Sequence, residues 1–345
     1  MKKVIITGVT GQDGSHMADY LLQETDHTVI AGVRRLSVKN HGNIEHLIGN
    51  PRFCLIDLDV TDAENIDRVI SKHKPDYFVN FAANSFVGTS WEMPVNHMQT
   101  NCMAVLHQLE AIRKHSPHCR YYNAGSSEEF GDVICEPQSE EHPLRPRSPY
   151  GASKCAARHL VKVYRDSYDL YAVQGWLFNH EGTRRGVEFV TRKITQAVAQ
   201  IASDYATELP FDSLKLGNVE SKRDWSDSED FVDGIWKMLN QEGKPADYVL
   251  SSDETHTIKE FVEEAFNFAG FHRSICRWEG EGVETKYYHA NDLLMEVDPK
   301  FYRPAEVDLL LGDSSRARDE LGWQPKTNFT NLVHKMVKHD MDLLT

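Results

Sequence analysis

The stretch that decides the fold lies at the start of the chain and reads Val4-Ile5-Ile6-Thr7-Gly8-Val9-Thr10-Gly11-Gln12-Asp13-Gly14. Its apolar run is typical of a buried parallel strand, and the glycines that follow indicate a tight turn into a helix. Glycines let the backbone approach a pyrophosphate, and a helix N-terminus favours negative charge. A turn that merely needs positive φ is the alternative explanation. The strand–turn–helix context favours dinucleotide binding by Gly8, Gly11, Gln12, Asp13 and Gly14.

Strand and helix patterns alternate from this stretch to about residue 180. Further strands are predicted at Thr28–Val33, Phe53–Ile56, Tyr77–Phe81, Arg120–Asn123 and Tyr171–Phe178, and helices at about Gly14–Glu24, Ala63–Lys72, 97–114 and 149–169. Such alternation predicts an α/β fold with a doubly wound, Rossmann-type parallel sheet. Residues 1–180 would form this dinucleotide-binding domain, and about 216–255 would return to it. Residues 181–215 and 256–345 would form a smaller C-terminal substrate-binding lobe.

Composition limits the class of protein. The 345 residues are 40% hydrophobic and 26% charged, which is ordinary for a soluble globular protein. The formal charge of −14 argues against a nucleic-acid partner or an anionic membrane surface. The six cysteines have no paired spacing, which predicts a reduced, cytoplasmic compartment. No signal peptide, membrane-spanning run or zinc motif is apparent, and we expect no metal site.

Two arginines follow the second predicted strand. An NAD enzyme usually carries Asp or Glu at this place for the ribose hydroxyls. Arg34 and Arg35 instead suit a 2′-phosphate through bidentate, charge-assisted hydrogen bonds. NADP is therefore favoured over NAD, and two solvated arginines are the alternative. Asp59, expected at the end of the third strand, could accept a hydrogen bond from the adenine amino group or could belong to a helix cap.

The candidate catalytic residues follow the fifth strand and open the next helix. Tyr150 and Lys154 are four apart and share one helical face, where an ammonium favours the phenolate of a nearby tyrosine. This spacing also occurs by chance on solvated helices. Ser126 can hydrogen-bond a substrate hydroxyl, and Glu128 can act as acid and base if burial raises its pKa. A turn-forming serine and an exposed loop carboxylate are the alternatives.

These motifs and several others carry a resemblance to a known family. The glycine turn with Tyr-x-x-x-Lys resembles the extended short-chain dehydrogenase/reductase superfamily. Within it the chain resembles, nearly end to end, the GDP-mannose 4,6-dehydratase family. The matching stretches are Gly11-Gln12-Asp13-Gly14-Ser15, Ser127-Glu128, Pro146-Arg147-Ser148-Pro149-Tyr150-Gly151, Leu177-Phe178-Asn179-His180-Glu181, Arg184-Arg185-Gly186, Phe189-Val190-Thr191-Arg192-Lys193-Ile194, Lys222-Arg223-Asp224-Trp225 and Tyr302-Arg303-Pro304-Ala305-Glu306-Val307-Asp308.

The resemblance implies a reaction and a role for each residue. Tyr150 would remove the O4 proton of GDP-mannose while hydride leaves C4 for NADP, and Ser126 would hold O4. Lys154 would hold the cofactor ribose. Glu128 would take the C5 proton and protonate the departing C6 hydroxyl before hydride returns to C6. Further cofactor contacts would come from Val60, Ala82, His180 and Arg185, and substrate contacts from Ser85, Asn179, Val190, Lys193, Arg223, Arg303 and Glu306.

The chain departs from the family pattern at a few places and leaves alternatives open. Ser126 stands where the family commonly has threonine, and Gly182-Thr183 replaces Ser-Pro before the two arginines. Another GDP-sugar, such as a GDP-heptose, could be the substrate. A nucleotide-sugar 4-epimerase has no need of Glu128, and an NADP-binding sensor has no need of the catalytic residues. A side reduction to GDP-rhamnose is a further hypothesis. The resemblance suggests a homodimer through the helices near 97–114 and 149–169, or a tetramer through the arginine loop.

Overall fold

The computed structural model describes residues 1–301 and 310–345. Its strands are β1 (Lys3–Thr7), β2 (Thr28–Val33), β3 (Phe53–Asp57), β4 (Tyr77–Asn80), β5 (Arg120–Ala124), β6 (Ala172–Leu177), β7 (Asn179–Glu181), β8 (Leu214–Leu216), β9 (Lys222–Arg223), β10 (Trp225–Asp227), β11 (Val249–Leu250), β12 (His256–Thr257), β13 (Cys276–Glu279), β14 (Lys286–His289) and β15 (Asp292–Val297). Its α-helices are α1 (Gln12–Glu24), α2 (Ala63–His73), α3 (Pro94–Met98), α4 (Ala104–His115), α5 (Pro149–Tyr168), α6 (Val190–Ala206), α7 (Ser228–Asn240), α8 (Ile258–Phe268), α9 (Ser315–Leu321) and α10 (Phe329–Asp342).

The central sheet confirms the predicted fold class. Within the described residues it has seven parallel strands in the order β11-β6-β5-β4-β1-β2-β3. The chain adds β2 and β3 on one side of β1, and then crosses to add β4, β5 and β6 on the other side. Ligands of such sheets bind beyond the carboxyl ends of the strands, at the point where the order reverses. That point lies between β1 and β4.

Helices cover both faces of the sheet because its strands are apolar on both sides. In β1, Val4 and Ile6 pack with α1 and α7, whereas Ile5 faces the opposite layer. That second layer consists of α2, α4 and α5, and it buries Leu109 and Val161. Burying one such aliphatic side chain stabilises the fold by about 1.5–3 kcal/mol. The sheet is therefore a rigid platform for the loops at its carboxyl edge.

A second apolar cluster lies in the C-terminal part of the chain. It joins α6, α8 and α10 to a small sheet in the order β13-β14-β15-β8, with Val198, Phe261 and Met336 fully buried between them. Leu216 and Val219 belong to this cluster, whereas α7 and β11 pack with the main sheet. The division into two lobes at the boundaries given above stays a prediction.

The predicted helix over 97–114 is interrupted in the structure. The chain forms α3, then one π-helical turn over Gln99–Met103, and then α4. Single π turns are frequent at functional sites, because they reorient a side chain within a helix. Here the turn carries Asn101, which binds the loop after β4. The strands match their predicted positions within about two residues, and Asp59 lies two residues beyond the end of β3 rather than at its end.

No helix within residues 1–301 or 310–345 combines the length and the apolar character that crossing a membrane requires.

Candidate active site

One large cavity of about 1510 Å³ lies at the carboxyl edge of the main sheet and extends to α6, β9 and the end of β8. Among the described residues, every residue predicted for the site lines this cavity. They are Gly8, Gly11, Gln12, Asp13, Gly14, Arg34, Arg35, Asp59, Val60, Ala82, Ser85, Ser126, Glu128, Tyr150, Lys154, Asn179, His180, Arg185, Val190, Lys193 and Arg223. Arg303 and Glu306 lie outside the described residues.

The glycine turn fits a diphosphate because it has no room for side chains. Gly8 has φ +68°, and a Cβ placed on it would lie 2.7 Å from the backbone nitrogen of Ala82. A Cβ on Gly14 would lie 2.4 Å from the carbonyl oxygen of Gly8. The turn therefore packs directly against the segment that follows β4 and against the first turn of α1. Its surface is bare backbone at a helix N-terminus, which is where a dinucleotide's phosphates bind.

Asp13 and His180 tie the two sides of this groove together. The ring of His180 donates from Nδ1 to the carbonyl oxygen of Phe178 (2.8 Å) and lies 3.0 Å from the Asp13 carboxylate through Nε2. Burial opposes ionisation of Asp13, but His180 outweighs it and keeps the pKa of Asp13 well below its usual range. Burial likewise lowers the pKa of His180, and Asp13 reverses that effect and raises it. The pair fixes α1 against β7.

The end of the cavity beside β2 is exposed and basic. Arg34 and Arg35 follow directly after β2, and both side chains are exposed. One carboxylate oxygen of Asp59 accepts hydrogen bonds from the backbone nitrogen (2.9 Å) and the hydroxyl (2.7 Å) of Thr61. Asp62, not Asp59, caps α2. Asp59 therefore shapes a turn at the rim of the cavity.

Tyr150 and Lys154 are both buried at the start of α5. Lys154 donates from Nζ to the carbonyl oxygen of Ala124 at the end of β5 (2.8 Å), and its Nζ lies 5.9 Å from the centre of the Tyr150 ring. Burial raises the pKa of Tyr150 to about 12, although a hydrogen bond from Ser126 lowers it. Burial also lowers the pKa of Lys154 to about 8. Burial therefore outweighs the stabilisation of the Tyr150 phenolate that was expected from Lys154.

The two adjacent glutamates of the sequence point to different places. Ser126 caps a short turn over Ser127–Glu129, where its hydroxyl accepts from the backbone nitrogen of Glu128 (3.2 Å). Glu128 lines the cavity beside Ser126 and Tyr150. Glu129 is fully buried, and its carboxylate bonds the backbone nitrogen of Ser126 and the guanidinium of Arg158. Of these two glutamates, only Glu128 is placed to exchange protons with a ligand in the cavity.

Asn101 is a supporting residue that the sequence prediction did not include. Its side chain exchanges two hydrogen bonds with the backbone of Asn84 (2.8 and 3.1 Å) and donates to the hydroxyl of Ser153 (3.1 Å). It therefore holds the loop that carries Ser85 against the helix that carries Tyr150. The π turn that aims this side chain inward was not predictable from the residue types.

The far end of the cavity carries the predicted nucleotide contacts. Nζ of Lys193 lies 3.6 Å from the centre of the Phe301 ring, and burial lowers the pKa of this lysine. Arg223 lies in β9, which pairs with β12. A flat aromatic ring and cationic side chains at one end suit a nucleoside diphosphate.

The chain is similar to known proteins over nearly its whole length. A family model described as GDP-mannose 4,6 dehydratase matches residues 5–336. The chain belongs to the GDP-mannose 4,6-dehydratase family. The GDP-mannose 4,6 dehydratase of Drosophila melanogaster is 41% identical, with 99% of this chain and 87% of that protein covered. The GDP-mannose 4,6-dehydratase of Sinorhizobium fredii is 39% identical, with 99% and 97% covered.

Solved structures share the fold of this dehydratase family. UDP-glucose 4-epimerase from Thermotoga maritima, solved with UDP-glucose, superposes with a TM-score of 0.82 at 20% identity, covering 99% of this chain and 100% of that one. The dTDP-glucose 4,6-dehydratase of Bacillus anthracis, in complex with NAD, superposes with a TM-score of 0.79 at 20% identity, covering 98% and 96%. At these identities the likeness concerns the fold alone.

Proposed function

We propose that the chain converts GDP-mannose to GDP-4-keto-6-deoxymannose, with NADP as a retained cofactor. The observation that carries the proposal is the meeting of Ser126, Glu128, Tyr150 and Lys154 in one cavity with the glycine turn. The family membership supports the same reaction, and GDP-mannose 4,6-dehydratase is the name that its relatives share. A nicotinamide cofactor fits because the turn between β1 and α1 offers bare backbone for a diphosphate.

The first half of the reaction is an oxidation at C4. Tyr150 accepts the O4 proton as its general base, and Ser126 holds O4 through its hydroxyl. The bound nicotinamide supplies the hydride acceptor at C4 and later the hydride donor at C6. Lys154 binds the ribose and contributes positive charge beside Tyr150. Because burial raises the pKa of Tyr150, formation of its phenolate depends on positive charge nearby.

The second half is an elimination of water across C5 and C6. The 4-keto group acidifies the C5 proton, and the Glu128 carboxylate removes it. The resulting carboxylic acid protonates the C6 hydroxyl, which leaves as water. Hydride return to C6, together with return to C5 of the proton that Tyr150 took from O4, would complete the 6-deoxy sugar and restore both catalytic groups. One carboxyl group handles both protons because Glu128, unlike its buried neighbour Glu129, lines the cavity.

Mass spectrometry of GDP-mannose after incubation with the enzyme tests the reaction. We expect loss of one water without net reduction of NADP. The variant Glu128→Gln keeps its shape but cannot accept the C5 proton, so kcat should fall by about 10²–10⁴-fold, and some reduced cofactor should accumulate because oxidation at C4 can still occur. Glu64→Gln, at an exposed carboxylate on α2, is the matched control. Unchanged dehydration by Glu128→Gln would contradict the assignment.

The preference for NADP rests on Arg34 and Arg35 at the end of β2. Replacing Arg35 with Leu should weaken NADP binding by about 10–100-fold, since a hydrogen bond to a charged group contributes about 1.5–3 kcal/mol. NAD binding should change by less than about threefold, because NAD has no phosphate at this position. Titration of both cofactors gives the ratio. Arg52→Leu, which removes a cation bonded to the carbonyl oxygens of Leu22 and Thr25, is the control.

The choice of sugar and the side reaction are tested with the same enzyme. A higher kcat/KM for a GDP-heptose than for GDP-mannose would favour another GDP-sugar as the substrate. Oxidation of added NADPH by purified GDP-4-keto-6-deoxymannose would reveal a side reduction to GDP-rhamnose. We further propose self-association as a homodimer or tetramer, and a cytoplasmic location, which the free state of all six cysteines supports.

A further inference from the structure

A chain of buried amides crosses the centre of the main sheet. Asn80, Asn123 and Gln174 stand directly opposite one another on β4, β5 and β6. Asn80 donates to Asn123 (2.7 Å), Asn123 donates to Gln174 (2.6 Å), and Gln174 donates to the carboxylate of Glu129 (3.0 Å). All four side chains are buried. A row of polar side chains in a sheet interior is costly unless every group is bonded, and this row ends on one carboxylate.

Glu129 connects this row to the catalytic turn. The oxygen that accepts from Gln174 also accepts from the backbone nitrogen of Ser126 (2.9 Å). The other oxygen accepts from Nε of Arg158 (2.5 Å). The side chain of Glu129 therefore anchors the turn that carries Ser126 and Glu128 to the main sheet. A shift of this carboxylate would move both residues relative to the sheet.

Arg158 connects the same carboxylate to the catalytic helix. It lies four residues after Lys154 and eight after Tyr150 on α5, so the three share one helical face. Its guanidinium donates to the carbonyl oxygens of Gln174 (2.8 Å) and Gly175 (3.2 Å) and stacks on Trp176 at 3.4 Å. Arg158 thereby fixes α5 against β6 and against the turn that carries Ser126 and Glu128.

We propose that Glu129 and Arg158 are positioning residues of this site: their buried ion pair holds the turn of Ser126 and Glu128 in register with the helix of Tyr150 and Lys154. The inference rests on the proposed dehydratase function and adds two residues that neither touch substrate nor line the cavity. The charge of Glu129 also acts on Lys154, because it raises the pKa that burial of this lysine lowers.

The variant Glu129→Gln separates charge from shape, because an amide oxygen can still accept from Ser126. We expect kcat for GDP-mannose dehydration to fall by about 10–100-fold, because a small misplacement of catalytic groups lowers the rate by about this much. KM should change by less than about threefold. The alkaline limb of the kcat/KM profile should move to lower pH, since Lys154 loses its proton more easily without the nearby carboxylate. Glu129→Ala, which also removes the acceptor for Ser126, should lose more kcat.

Asp230→Asn is the matched control. Asp230 is a buried carboxylate outside the cavity, and it accepts from the backbone nitrogens of Lys326 (2.9 Å) and Thr327 (2.8 Å). Its conversion to an amide should lower stability without moving the pH profile. If Glu129→Gln behaves like this control, with a wild-type kcat and an unmoved profile, the inference is overturned.

A double variant keeps the test decisive if Glu129→Gln folds poorly. Replacing a whole buried ion pair by apolar residues is often tolerated, whereas removing one partner is not. Glu129→Leu combined with Arg158→Leu should therefore fold, and should retain the loss of kcat and the shifted profile. A folded double variant with wild-type kinetics would contradict the positioning role. Failure of the wild-type enzyme to dehydrate GDP-mannose would instead contradict the proposed function.

Discussion

At the scale of single residues, Lys154 is the clearest conflict between stability and function. The residue is 4% exposed, and its ammonium donates a hydrogen bond to the carbonyl oxygen of Ala124. Burial lowers its pKa from 10.5 to about 8, although the charges of Glu129 and Asp13 oppose the shift. Keeping a cation out of water costs stability that a purely structural residue would not cost.

The variant Lys154→Met should be inactive. At neutral pH, however, its free energy of unfolding should fall by less than the lost contacts alone would cause. Because the folded pKa of about 8 lies below the unfolded value of 10.5, the unfolded chain binds more protons between these pH values, and wild-type stability rises with pH across that window. Methionine does not titrate. The difference in unfolding free energy between Lys154→Met and wild type should therefore shift by about 3 kcal/mol in favour of wild type across the window.

Urea unfolding at several pH values measures this difference. Lys162→Met is the control, because Lys162 lies on the same helix but its side chain is 61% exposed. Its stability relative to wild type should show no comparable dependence on pH. An identical pH dependence for both variants would contradict the burial of a titrating Lys154.

At the scale of secondary structure, α5 carries both Tyr150 and Lys154, so the residue that starts this helix also places the site. Ser148 caps α5 by accepting from the backbone nitrogen of Gly151 (3.0 Å), and Pro149 occupies the first helical position. A proline there suits the helix, because its missing N–H would have no partner. Tyr150 follows in the first turn, which is the part of the helix that loss of the cap would disorder most.

The variant Ser148→Ala should lower the free energy of unfolding by about 1 kcal/mol, the usual contribution of an N-cap. We also expect kcat to fall by about 3–10-fold, since the first turn of α5 becomes less well ordered around Tyr150. Thermal unfolding and steady-state kinetics measure the two effects. Asn328→Ala removes the cap of α10, which accepts from the backbone nitrogen of Asn331 (2.9 Å), and should lower stability without lowering kcat. Equal effects of both variants on kcat would contradict the prediction.

At the scale of the whole molecule, exposed apolar side chains gather on one side of the main sheet. Met98, Met103, Val163 and Tyr168 are each between 41% and 50% exposed on the helical layer of α3, α4 and α5. Apolar patches of this kind often mark an interface between protein chains. They support the proposal that two copies associate through these helices, as the family resemblance suggested.

The variant Val163→Asp should convert a dimer to monomers, because it buries an unpaired charge in the proposed interface. At a concentration where the wild type is dimeric, light scattering should give the Val163→Asp variant about half the mass of the wild type. Ile275→Asp is the control, since Ile275 is 49% exposed but lies in the C-terminal part of the chain. A wild type that is monomeric at high concentration, or a dimer that survives Val163→Asp, would contradict the interface.

Residue order was enough to predict the fold class, and it also indicated candidate residues for the site. Apolar runs of strand length, helical spacing and a glycine turn are local patterns, and local sterics and burial translate them directly into structure. The predicted strands and most predicted helices therefore occur where expected. Position after a parallel strand favoured Ser126 and Glu128, and the four-residue spacing on one helix favoured Tyr150 and Lys154; all four line one cavity.

Only the tertiary structure decided what depends on distant packing. Adjacent glutamates look alike in sequence, but Arg158 and Gln174 draw Glu129 inward while Glu128 lines the cavity. The π turn that aims Asn101, and the burial that raises the pKa of Tyr150, also arise from contacts far apart in the chain. Electrostatic and hydrogen-bond energies depend on burial and distance, and neither quantity can be read from residue order.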